Sequence, residues 1–249
     1  QNFFRLYIFL FFLFLPLLFF RNYFVKNQVP FPANLLVSFY SPWKFEKFPG
    51  YEGGIANKPI GFDNIKIFYP HLKLTIDELK KGRIPYWNPY VFAGNVHLGL
   101  FQTAVFYPFN IIYLLFPMID AWSILVIIQP VLASIFMYLF LRSQRLSRGA
   151  GIFGSIAYAY SGWMIAWWEE SLVIEHSVLW LPLALFASSK LWESGWKLRY
   201  GSILLVSLIS SMLAGFIQTT IYVYVTIIIW NLYLWHQNTS KKGKTKTIL

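Results

Sequence analysis

The sequence predicts an all-α polytopic membrane protein, with about six transmembrane helices and a large first extracytoplasmic loop that contains short amphipathic helices. Three observations lead there. Of 249 residues, 57% are hydrophobic and 21% aromatic but only 12% are charged, about half the charged share of a soluble domain, and mean hydropathy is +0.51. The apolar residues gather in runs long enough to cross a bilayer. The basic residues cluster in alternate connections between those runs, so the formal charge of +11 reads as membrane orientation rather than as a nucleic-acid surface.

Leu6–Phe20 is an uncharged run between Arg5 and Arg21, and a first helix over 3–20 accounts for it. No small-residue cleavage site follows, which favours an uncleaved helix over a signal peptide. Residues 21–104 hold no window apolar enough to span and read as one outer loop. Within it Phe68, Leu72, Ile76 and Leu79 recur at helical spacing before Gly82, predicting an amphipathic helix over 70–81. That helix lies either at the bilayer surface or packed on the rest of the loop. The segment 103–117 is apolar, short and broken by proline, which suits an interfacial or re-entrant piece.

Spans are expected over 119–141, 150–168 and 174–192. The run 201–236 would reach about 54 Å as one helix against a core of about 30 Å, so it is split near Gly215 into 201–216 and 219–236, leaving a basic tail over 237–249. Arg142, Arg145, Arg148, Lys190, Lys197, Arg199 and the lysines from Lys241 to Lys246 then fall on one side, opposed only by Glu193. The connection 169–176 on the other side holds Glu169, Glu170 and Glu175 and no Lys or Arg. Both termini are thus expected in the cytoplasm of a cell membrane, with the first loop outside.

The stretch GRIPYWNPYVFAGNVHLGLFQTAVFYPFN over 82–110, together with SFYSPW at 38–43 and GFDNIKIFYP at 61–70, resembles the bacterial YfhO-like membrane proteins of the GT-C glycosyltransferase superfamily. Val96 and His97 depart from the family pattern, which has Pro and an apolar residue after the turn at Gly94. Family members are much longer, so this chain is expected to be part of a larger protein. The resemblance implies transfer of a sugar from a polyprenyl-phosphate-linked donor to an envelope glycan or glycopolymer acceptor at the outer face. A non-catalytic protein that binds or translocates a lipid-linked saccharide is the alternative.

The chain has no cysteine, which excludes thiol nucleophiles and thiolate metal sites. No P-loop, GxGxxG or GxSxG is present, so nucleotide-driven transport and serine hydrolysis find no support. Chemistry falls to carboxylates, histidines and amides. Asp63 matches the acidic first-loop residue that the resemblance makes catalytic: such a carboxylate takes the proton of an acceptor hydroxyl or helps hold a divalent cation, the one cofactor considered. Glu169 and Glu170, ending a helix at the outer face, are the second acidic candidates, with topology charges as the plainer reading. Candidates for substrate binding are Lys66, Arg83, Trp87, Asn88, Gln102, His176 and Gln218. For Lys66 and Arg83 a solvated cation, and for His176 an ordinary interfacial hydrogen bond, is the bland alternative. His71 and His97 lie 26 residues apart with no paired spacing, which argues against zinc.

Overall fold

The computed structural model describes residues 2–48, 63–170 and 172–246. They form an almost entirely helical molecule. Helix α1 (Asn2–Phe19) is followed by α2 (Arg21–Lys26), α3 (Asn34–Phe39) and, after a π-helical turn at Asn64–Phe68, α4 (Tyr69–Lys80). A short antiparallel hairpin pairs Trp87 with Val96 and Asn88 with Asn95. Then come α5 (Ile111–Leu115), α6 (Met118–Ser143), α7 (Arg148–Ala159), α8 (Gly162–Glu170), α9 (Leu172–Leu179), α10 (Leu181–Glu193), α11 (Leu198–Leu213) and α12 (Ile217–Lys246).

Three helical stretches are long and apolar enough to cross a membrane: Met118–Ser143, Leu172–Glu193 and Ile217–Thr239. Leu6–Phe19 and Leu198–Leu213 are shorter apolar helices. Many apolar side chains of α1, α11 and α12 face outward, among them Phe14, Leu18, Leu205, Ile228 and Leu232. In water such a belt would be a liability; against lipid chains it is the stable arrangement.

The helices meet through small and polar side chains, as expected where lipid supplies no hydrophobic drive between them. A Cβ on Gly154 would sit 2.5 Å from Leu141 Cδ1, and one on Gly151 would sit 3.0 Å from the Tyr138 ring, so these glycines let α7 lie close on α6. Between α10 and α12, the Trp192 indole donates to Asn231 Oδ1 at 2.9 Å, the Asn231 amide to Ser188 Oγ at 3.2 Å and the Trp230 indole to Ser189 Oγ at 3.0 Å.

Two expected spans are interrupted. The helix expected over 150–168 stops at Tyr160 and restarts as α8, where Ser161 Oγ accepts the Met164 backbone N–H at 3.3 Å, the capping bond of a new N-terminus. The one expected over 174–192 divides at Trp180 because Pro182 has no N–H to continue the ladder. The first loop also carries more structure than its composition suggests. Helix α4 buries Thr75 and Ile76 and packs on α5 and the turn at Phe101–Thr103, so it is a packed helix of the loop.

Trp122 of α6 ties the loop to the bundle. It is 1% exposed, stacks edge-on with Phe31 and donates its indole N–H to the Pro30 carbonyl at 3.2 Å. Trp122→Phe keeps an aromatic ring but loses that bond and half of the indole, so the thermal midpoint in detergent should fall by the equivalent of at least about 1 kcal/mol.

Candidate functional site

Two adjoining concavities mark the site. A mostly apolar cleft of about 460 Å³ is walled by Trp163 and Trp167 of α8, Ile174 and Val178 of α9, Leu181 of α10, and Thr219, Tyr222, Val223 and Thr226 of α12. A second, more polar pocket of about 330 Å³ lies between residues 99–102 of the loop and 215–218 at the α11–α12 turn. Phe216 and Gln218 line both, so a polar compartment opens onto an apolar one.

The turn at Gly215 makes this meeting possible. Its φ is +99°, and a Cβ there would stand 2.5 Å from the Phe101 carbonyl oxygen and 3.2 Å from Ala104 Cβ. The loop side is held by Asn110, whose amide donates to the Ala104 carbonyl at 2.6 Å, and by Thr103, whose hydroxyl donates to Leu100 O at 2.8 Å. The FYPFN segment therefore works here as scaffold: its asparagine fixes the backbone that forms one wall of the pocket.

Of the residues singled out by sequence, Gln102 and Gln218 come together in the polar pocket. Both are exposed, and the Gln218 amide donates to Tyr222 Oη at 2.8 Å. The others lie elsewhere. Arg83 forms a bidentate pair with Glu78 at 2.7 and 2.9 Å, and together with Lys81 it holds the Glu78 carboxyl at about 2, well below the usual carboxylate range. Its charge is thus committed within the loop. Lys66 lies over the Tyr40 ring at 5.4 Å. Asn88 is buried, its Oδ1 accepting the Tyr90 backbone N–H at 2.9 Å, and the Trp87 ring covers the space where Gly94 would carry a side chain; both shape the hairpin.

Asp63 is exposed at the head of the π-helical turn and α4. It does not line the polar pocket. Glu169 and Glu170 are the last two residues of α8; their side chains lie outside the described residues.

Two buried polar groupings were not expected. In the loop, Thr75 Oγ1 and His97 Nε2 are 2.8 Å apart, and the His71 and His97 rings meet edge-on at 5.6 Å. Burial, with His71 alongside, lowers His97 to about 4, so the ring stays neutral down to acidic pH. The 26-residue separation, which argues against zinc, does not keep their rings apart.

The second grouping lies within the apolar bundle and corrects the outer connection expected over 169–176. Helix α9 begins at Leu172, so Glu175 and His176 are helical, Glu175 fully buried and His176 3% exposed. His176 Nε2 is 2.9 Å from the side-chain amide of Gln129 on α6, whose other end meets the Glu175 carboxyl. Tyr107 stacks on the His176 ring at 4.7 Å. His176 is therefore an internal residue rather than an interfacial one. A polar residue amid the apolar run ILVIIQPVL, and an acid amid LVIEHSVLW, were the available signals, because intramembrane polar and ionisable groups are expensive unless used.

Comparison of the chain with models of protein families, with curated proteins and with solved structures finds no match.

Proposed function

We propose that the chain is a six-span membrane module that holds an amphiphile, its polar end between Gln102 and Gln218 and its hydrocarbon chain along the cleft. The observation that carries this reading is the shared lining: Phe216 and Gln218 border both compartments. Amide donors meet phosphate oxygens without requiring a cation, and the cleft walls are mostly apolar. In the six-span layout α1, α6, α7 with α8, α9 with α10, α11 and α12 cross in turn, the basic connections lie in the cytoplasm and the first loop lies outside.

The amphiphile that the 82–110 resemblance favours is a polyprenyl-phosphate-linked sugar. Asp63 is then the acceptor's base or a ligand of a divalent cation, Glu169 or Glu170 assists, and the sugar passes to an envelope glycan. A second reading has one observation behind it: the described residues lining the polar pocket include amides and no carboxylate. This suits a protein that binds or moves a lipid-linked saccharide without transferring the sugar.

A brominated polyprenyl phosphate in lipid nanodiscs tests the binding step through quenching of Trp163 and Trp167. Quenching should diminish in Trp163→Phe and Trp167→Phe. Gln102→Ala and Gln218→Ala should each weaken binding by about tenfold, the loss of one hydrogen bond to a charged group. Equal quenching by the uncharged polyprenol, with no effect of either glutamine, would show that no polar end is recognised.

A further inference from the structure

The Glu175 carboxyl sits at the centre of the bundle with no described Lys or Arg paired to it. The groups that face it come from every neighbouring element. Helix α6 supplies Gln129. Helix α8 supplies Trp168, whose indole lies beside the carboxyl while its N–H has no well-formed hydrogen bond. Helix α7 supplies Tyr158, whose hydroxyl donates to Val178 O at 3.2 Å, and the loop supplies Tyr107, whose hydroxyl accepts from Trp180 at 3.3 Å. Helices α11 and α12 offer Ser211 and Thr219, bonded to the Ser177 and Ile174 carbonyls. Helix α1 presents the Phe19 and Phe20 rings to Trp168. His176, on the same helix as Glu175, is the remaining titratable neighbour.

The Gln129 amide bridges Glu175 and His176 in either state of the acid. With a carboxylate, the amide N–H donates to the Glu175 carboxyl, 2.8 Å from Oε1 and closer still to Oε2, and Gln129 Oε1 accepts the His176 Nε2–H at 2.9 Å; the Trp168 indole lies beside the same carboxyl. With a carboxylic acid, the amide turns over: the Glu175 O–H donates to Gln129 Oε1, and Gln129 Nε2–H donates to His176 Nε2 at 2.9 Å. The imidazole proton then resides on Nδ1. One proton enters, and only an amide orientation and a tautomer change.

The same two helices form the cleft wall. On α9, Ile174 and Val178 line the cleft while Glu175 and His176 face inward; on α8, Trp163 and Trp167 line it while Trp168 faces Glu175. We infer that Glu175 is a proton-binding site, relayed through Gln129 to His176, whose occupancy is linked to that of the amphiphile cleft on the far side of α8 and α9. The linkage rests on the amphiphile reading above; the proton site does not. By reciprocity, whatever the amphiphile does to proton affinity, the proton does to amphiphile affinity.

Infrared difference spectra of the full chain in nanodiscs, recorded across pH with and without the brominated polyprenyl phosphate, test it. A protonated-carboxyl band should titrate in the wild type and vanish in Glu175→Gln. Its midpoint should move by about one pH unit on adding the probe, a tenfold coupling. Should Glu175→Gln fail to fold, Gln129→Asn assigns the band by shifting its frequency. A band that is present or absent at every pH overturns the proton site. A band that titrates but ignores a probe that does quench Trp163 and Trp167 overturns the linkage. Absence of quenching, with the band still titrating, removes the amphiphile reading and the linkage and leaves the proton site standing.

Discussion

On the transfer reading proposed above, Asp63→Asn should lower sugar transfer by about 10²–10⁴-fold in the intact protein, the usual contribution of a positioned general base, while expression and amphiphile binding should stay at the wild-type level. The substitution is nearly isosteric and removes the charge and the proton acceptor together. Asp63 is exposed, so its loss leaves no buried group unpaired and any decrease reports on chemistry rather than on folding. It does not line the pocket between Gln102 and Gln218, so a loss of transfer can be told from a loss of binding. Transfer of labelled sugar from a polyprenyl-phosphate donor in membranes, measured beside Trp quenching, reads both. Undiminished transfer would end the catalytic role of Asp63 and leave the pocket to the binding or translocating reading.

The separation of binding from chemistry shows what the sequence could and could not convey. Hydropathy locates helices because burial in lipid depends on composition averaged over a window. The apolar runs around 119–141 and 201–236 therefore display α6, and the pair α11 and α12 divided at Gly215, directly. Composition does not locate interruptions that depend on one hydrogen bond, such as the restart at Ser161. It was misleading at Glu175, where the cluster Glu169, Glu170 and Glu175 looked like one hydrophilic turn. The structure ends α8 at Glu170 and starts α9 at Leu172, which carries Glu175 inward to face Gln129, 46 residues earlier. No local pattern encodes that pairing.

The candidate site was legible in part for the same reason. Gln218 follows Gly215 at the turn of the last helix pair, a position the resemblance implies to be polar, and Gln102 lies within the 82–110 stretch. That the two share a pocket depends on how the loop docks, a long-range contact made by backbone. Trp87, Asn88 and Asn110, all within the 82–110 stretch, shape turns. A motif of aromatic rings, prolines and asparagines serves that end well: rings cover glycines, prolines fix φ and asparagine side chains satisfy backbone groups.

Gly215→Ala should undock the loop from the α11–α12 turn. Two costs act together. A residue with a Cβ at φ +99° is strained by about 1–2 kcal/mol, and the new Cβ would stand 2.5 Å from a backbone oxygen of Phe101, which cannot swing aside as a flexible side chain would; overpacking of that kind costs a further 1–3 kcal/mol or so. The combined loss, about 2–5 kcal/mol, is relieved most simply by displacement of residues 99–104, which also opens the polar pocket. Gly195 supplies the control. Its φ is +68° and nothing lies within 4 Å of the position a Cβ would take, so Gly195→Ala bears the backbone strain alone. Thermal midpoints in detergent should therefore fall clearly further for Gly215→Ala, and only that variant should weaken quenching by the polyprenyl phosphate probe. Equal midpoints for the two alanines would mean that the 99–104 segment does not press on the turn, and the pocket between them would lose its second wall.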